Sequence, residues 1–153
     1  MEIINLSEKN SIINRYLAEM RDCDYQKNRL LFRNNIKRIG EYEAFEISKT
    51  LDYEAKDVTP DLTDKTLIIA DPMLATGISM EMGMKAFITK GNPKHIHVAC
   101  VLAAPEGIEH IKNTFPEEKT TIWCASIDEG LNEHKYIVPG FGDAGDLCYG
   151  NKL

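Results

Sequence analysis

From residue 65 onward the chain alternates short apolar runs with stretches of helical period, and this alternation limits the possible fold more than any other feature. KTLIIA (65–70), HIHVACVLA (95–103) and TIWCASI (121–127) predict strands, with helical segments over 79–90 and 106–114 between them. The order β-α-β-α-β predicts a parallel sheet with covering helices. Lys90-Gly91-Asn92-Pro93 stops the first of these helices and Phe115-Pro116 the second.

Ahead of this region the period is helical. Asn10 or Ser11 is placed to cap a first helix carrying Ile13, Tyr16, Leu17 and Met20. A second helix is expected to start near Asp24 and to carry Leu31, Phe32, Ile36, Ile39, Ile47 and Leu51, with Gly40 as its weak point. Both read as a packing layer. The expectation is one domain over 1–153, with a helical part over 1–58 and a sheet-and-loop part over 59–153.

Charge and cysteine usage narrow the function classes. With 43% hydrophobic and 27% charged residues the chain has a globular balance, and a net charge of -6 argues against a general nucleic-acid-binding surface while leaving room for a local phosphate pocket. Cys23, Cys100, Cys124 and Cys148 form no CxxC pair, which suggests neither a zinc site nor a disulfide framework and fits a reducing cytoplasm. MEIINLSEKN lacks a basic start followed by an apolar stretch, and the longest apolar run, VACVLAA (98–104), is too short to span a bilayer, so a soluble, unexported protein with no membrane partner is expected.

LIIADPMLATGISM (67–80) places a carboxylate, Asp71, and a Thr-Gly loop at the mouth of a strand, where ligands bind in open parallel sheets. The N–H groups near Thr76, Gly77, Ile78 and Ser79 would open the next helix and attract a phosphate; Thr76 and Ser79 add hydroxyls, and Gly77 lets the backbone approach closely. No GKS or GKT triphosphatase loop and no GxGxxG is present, so an acid ahead of a phosphate cradle points to a sugar phosphate. The alternative on pattern alone is that Asp71 ends a strand and Ser79 caps a helix.

The run from Asp71 to Gly77 through Pro72, Met73, Leu74, Ala75 and Thr76, followed by Ile78 and Ser79, resembles the phosphoribosyl-diphosphate loop of type I phosphoribosyltransferases, in the form of the uracil branch. Ile78 stands where that branch usually has glycine, a modest change where backbone N–H groups bind. YIVPGFGDAGD (136–146) is too apolar at Tyr136, Ile137, Val138 and Phe141 for a loop that only faces water, and it could hold a flat heterocycle. It resembles the uracil-binding segment of the same family, a match that IDEGLNEHKYIVPG (127–140) extends. That resemblance implies that Ile137, Gly142, Asp143 and Ala144 line uracil and that Asp143 also faces phosphoribosyl diphosphate as the catalytic group. VLAAPEGIEHI (101–111) resembles a family segment too, but its residues read only as strand, turn and helix start.

The resemblance further implies a parallel α/β sheet with N-terminal helices and a C-terminal hood over the base, magnesium arriving with the diphosphate substrate, no protein metal ligands, and a homodimer or higher oligomer. The reaction it implies is uracil plus phosphoribosyl diphosphate giving UMP and diphosphate. His95 and His97 share a strand face at a spacing that could hold a metal, yet no third ligand is evident, and packing is the expected role. Trp123 reads as core.

The arginines depart from the family pattern. All five, Arg15, Arg21, Arg29, Arg33 and Arg38, precede residue 39. The family carries an Arg-Ala-Gly element and a second arginine ahead of the DPMLATG strand, where EAKDV (54–58) here runs directly into TPDLTDKTLIIADP, so a central block is skipped near Val58 and Thr59. Lys56 and Lys65 are the nearest replacement cations, and a lysine is a poor stand-in for an arginine fork. Three functions are open at this point: the enzyme, a catalytically degenerate regulatory protein that binds UMP or phosphoribosyl diphosphate, or a phosphoribosyltransferase for a different base.

Overall fold

The run His95–Ala103 is a strand buried along nearly its whole length, and the fold is organised around it. The computed structural model describes residues 1–52 and 61–150. In chain order these form β1 (Glu2–Asn5), α1 (Ile12–Arg21), α2 (Arg29–Ser48), β2 (Thr66–Ala70), β3 (Met73–Leu74), α3 (Ile78–Phe87), β4 (His95–Ala103), α4 (Pro105–Thr114), β5 (Thr120–Ile127), β6 (Gly130–Leu131), β7 (Ile137–Val138) and α5 (Ala144–Tyr149), with single 3-10 turns between some of them. The junction at Val58 and Thr59, and Lys56 beside it, lie outside the described residues.

The main sheet has the order β1-β5-β4-β2, with β3 also beside β4, and every pairing is parallel. β6 and β7 form a separate antiparallel ribbon. Alternate residues of β4 serve opposite faces, as the two-residue period of a strand requires. Ile96, Val98 and Cys100 pack with Met80, Met84, Ile108 and Ile111 of α3 and α4. Val101, on the other face, packs with Ile13, Leu17, Met20, Phe32 and Ile39 of α1 and α2. Helices therefore cover both faces, which explains why β4 and β5 read as continuous apolar runs.

Two expectations are corrected. α2 starts at Arg29 rather than near Asp24, because the Asn28 side chain accepts hydrogen bonds from the N–H groups of Leu30 and Leu31, and residues 25–27 form a 3-10 turn instead. Leu51 lies beyond its end at Ser48 and packs as a satellite beside Ile47 and Trp123. The stretch after Ile127 holds the β6–β7 ribbon and α5. β1 was also not foreseen; its four residues pair with β5, Ile3 opposite Ile122. Ser11 is the cap of α1, in a reciprocal box with Asn14.

Candidate active site

β2 ends at Ala70, and the chain breaks at Asp71 and Pro72 before resuming as β3 along the same neighbour, β4. Across the break the backbone stays paired: the Asp71 N–H donates to the Ala99 carbonyl, and the Pro72 carbonyl accepts from Val101 and Leu102. Asp71 Oδ1 accepts from the Met73 N–H at 3.0 Å, so one oxygen holds the turn. α3 then begins after Gly77, whose φ of 79° is left-handed, and no side chain caps it. Ser79 is thus not the helix cap, and the first N–H groups of α3 have no side-chain acceptor at their cap.

This loop rests on the first turn of α4. A Cβ on Gly107 would lie 2.5 Å from the Ala75 carbonyl oxygen and 2.6 Å from that of Leu74, and one on Gly77 would meet His110 and the Gly107 carbonyl at 3.0 and 3.1 Å. His110 Nε2 and Glu81 Oε2, 2.8 Å apart, clasp α4 to α3. Lys85 and then His110 hold the Glu81 carboxyl below its usual value by hydrogen bonding to it. VLAAPEGIEHI therefore shapes the loop at 71–79 from below, a role its pattern does not disclose. Gly107→Ala should displace the carbonyls at 74 and 75 and destabilise the protein by about 2 kcal/mol through overpacking, which chemical denaturation measures.

The second loop is tied down from three directions. Asp128 Oδ2 accepts from the Gly140 N–H at 2.8 Å, while Oδ1 accepts from Ser126 Oγ at 3.1 Å and from Arg21 of α1. Gln26 donates to the Phe141 carbonyl at 3.2 Å. Ile137 and Phe141 are buried, Phe141 edge-on to Phe32 of α2 at 5.2 Å between ring centres, whereas Tyr136 and Val138 stay exposed. The Val138-Pro139 peptide is cis. Asp143 caps α5 by accepting from the Asp146 N–H at 2.9 Å.

The two loops, far apart in the chain, face one cleft of about 540 Å³. Asp71, Pro72, Met73, Ala75 and Ser79 line it from one side, and Ile137, Gly142, Asp143 and Ala144 from the other. Leu74 is instead buried in the core, Gly77 is wedged against α4, and Ile78 is exposed; these three and Thr76 are not among the lining residues. Lys135, Tyr136 and Gly145 line it as well and were not singled out as site residues from the sequence. The arginines are engaged elsewhere: Arg15 with Glu19, Arg21 with Asp128, Arg33 with the Cys148 carbonyl and Arg38 with Asn35, while Arg29 lies against Gly150.

The histidine pair is used in packing. His97 Nδ1 accepts from the Trp123 indole at 2.9 Å, and burial, with His95 beside it, pushes its pKa down to about 4, so the ring is neutral. His95 Nε2 lies 3.0 Å from Thr121 Oγ1. Among the described residues no group of three or more His, Cys, Asp or Glu side chains converges, and no helix is long and apolar enough to cross a membrane.

Comparison with known proteins agrees with this geometry. A family model described as uracil phosphoribosyltransferase matches residues 56–151. A Porphyromonas gingivalis protein named uracil phosphoribosyltransferase is 39% identical over 217 positions, covering all of both chains. Since this chain has 153 residues, at least 64 of those 217 positions have no counterpart here. A Clostridium botulinum protein of the same name is 44% identical over 117 residues, 76% of this chain and 54% of that one. The solved structure of the AQ2163 protein from Aquifex aeolicus superposes with a TM-score of 0.82 at 22% identity, covering 97% of this chain and 98% of that chain, so the same fold occurs in a chain of similar length. With more than half its length matched by the family model and a full-length relative at 39% identity, the chain belongs to the uracil phosphoribosyltransferase family.

Proposed function

We propose that this protein transfers the phosphoribosyl group of phosphoribosyl diphosphate to uracil, giving UMP and diphosphate, as a pyrimidine-salvage enzyme. The observation that carries the reading is the meeting of the loop at 71–79 with the loop at 137–145 across one cleft, together with the family match. Asp71 would hold ribose hydroxyls, the start of α3 with Thr76 and Ser79 the 5-phosphate, and Ile137, Gly142, Asp143 and Ala144 the base. Uracil presents acceptor, donor, acceptor along O2, N3–H and O4, which fixed backbone groups can match. Cytosine would leave buried groups unpaired at roughly 1 to 3 kcal/mol each.

In the reaction N1 of uracil bonds to C1 of the ribose as the bond from C1 to diphosphate breaks; the diphosphate departs with the bonding electron pair, and the N1 proton passes to water. Positive character at C1 favours a carboxylate nearby, the role assigned to Asp143. Orientation in the cleft contributes by holding both reactants in line. Asp71 and Asp143 offer hard oxygen donors but no closed cage, which fits a magnesium ion that arrives on the substrate and keeps much of its water shell. Its chemistry would be to neutralise the departing diphosphate.

Asp143→Asn tests the assignment cleanly, because asparagine caps a helix as well as aspartate. Turnover should fall about 100-fold, with the thermal midpoint nearly unchanged. Wild-type activity in the Asn variant would remove Asp143 from the mechanism. We further read the chain as one domain acting in the cytoplasm, a setting that suits its four free thiols, and as a homo-oligomer, to be measured by light scattering.

A further inference from the structure

Lys135 lines the cleft together with Asp71, Ser79 and Asp143, and it is the one basic side chain among the lining residues. Its backbone is left-handed, with φ of 66°, a region that favours glycine and asparagine over lysine. The conformation is imposed by the turn after β6: the Lys135 N–H donates to the Asn132 carbonyl at 3.0 Å, and Asn132 Oδ1 accepts from the N–H groups of His134 and Tyr136 at 2.9 and 3.0 Å. Glycine would serve this turn better, so the turn itself does not account for a lysine. Backbone strain retained at a cleft is a mark of a functional side chain. No ion pair engages Lys135 among the described residues, although two carboxylates share its cleft.

We infer that Lys135 holds the diphosphate group of phosphoribosyl diphosphate in this chain. The inference rests on the function proposed above, in which the 5-phosphate and the base already have their loops. The diphosphate is the remaining anionic part of the substrate, and Asp71 and Asp143 alone would repel it. The five arginines are bound or packed elsewhere, so none of them is at hand for this task. A lysine is a compact point charge on a flexible stem, suited to follow a leaving group as it moves away.

The test compares Lys135→Gly and Lys135→Arg with the wild type. Glycine relieves the backbone and removes the charge, so the thermal midpoint should hold or rise while KM for phosphoribosyl diphosphate rises about 10- to 100-fold. KM for uracil should stay within about twofold, and Lys135→Arg should retain most of the affinity. Titration calorimetry with magnesium and inorganic diphosphate gives a readout that needs no turnover, and there the glycine variant should bind about tenfold or more weakly. Unchanged diphosphate affinity and unchanged KM in the glycine variant would overturn the inference. If the wild type formed no UMP but still bound diphosphate more tightly than Lys135→Gly, the proposed reaction would fail and the anion site would stand.

Discussion

Asp128→Ala is expected to cost about 3 kcal/mol of stability and to raise KM for uracil far more than KM for phosphoribosyl diphosphate. The carboxylate is nearly fully buried and serves three donors at once, Arg21, Ser126 Oγ and the Gly140 N–H. Removing one member of a buried pair usually costs roughly 3 to 5 kcal/mol, because the other charge is left without a partner. Here the lower end applies, since the Arg21 side chain keeps 33% of its surface in water and can be solvated. The functional effect is local. Gly140 begins the turn that brings Gly142 and Asp143 to the cleft, and its own φ of 51° and the 2.1 Å approach of a hypothetical Cβ to the Ile137 carbonyl leave that turn little room to adjust. Loss of the anchor should loosen the side of the cleft formed by residues 137–145 while the α3 side, built on β2 and α4, keeps its shape. A uniform rise in both KM values would show that Asp128 stabilises the fold without positioning the loop at 137–145.

The same anchor shows what the sequence could and could not disclose. Strand β4 was legible residue for residue, and β5 nearly so, because a strand covered on both faces has no choice but to be apolar throughout. The four residues of β1 carry no comparable signal; they become a strand only because β5 offers an open edge. The helix α5 was hidden by Gly142 and Gly145, which read as turn residues, while its start depends on a cap from Asp143 and its packing on α2. At the site, Asp71 and Asp143 were visible as carboxylates in glycine-bearing loops. Their convergence was implied by the family resemblance alone and not by the residue pattern, since it depends on how the β6–β7 ribbon folds over α4, where Glu106 Oε1 accepts from the Leu131 N–H at 3.1 Å. Lys135 and Gly107 stayed invisible for a related reason: one matters through a backbone angle and the other through the closeness of a neighbouring carbonyl, and neither leaves a periodic trace.

Glu43→Gln is expected to stabilise the protein by about 3 to 4 kcal/mol at pH 8 and to leave it less stable by up to about 1 kcal/mol near pH 4.5. Glu43 lies on α2, 4% exposed against the sheet, and its Oε1 has no hydrogen-bond partner. Burial pushes its pKa up from 4.5 to about 8, with a backbone hydrogen bond from Ala125 offsetting only part of the shift. Below pH 4.5 the folded and unfolded chains both carry the proton, and this site contributes no pH dependence. As the pH rises from 4.5 toward 8, the unfolded chain releases the proton while the folded chain keeps it, so stability falls by about 1.4 kcal/mol per pH unit. Above about 8 both have released it and the loss, about 5 kcal/mol in all, is complete. Glutamine does not titrate and escapes that loss, but one end of its amide meets the same missing partner, which reduces the gain by about 1 kcal/mol. The surroundings make a local water contact the main competing outcome: Glu43 borders a cavity of about 170 Å³ that also touches Ala70, Asp71 and Pro72, on the α2 side of the strand break. Urea denaturation of both proteins between pH 4.5 and 8 separates the cases. A stability difference that grows steadily with pH is the signature of a carboxyl held neutral by burial, whereas a difference independent of pH would mean that water in this cavity solvates the ion and that the acid behind Asp71 is charged.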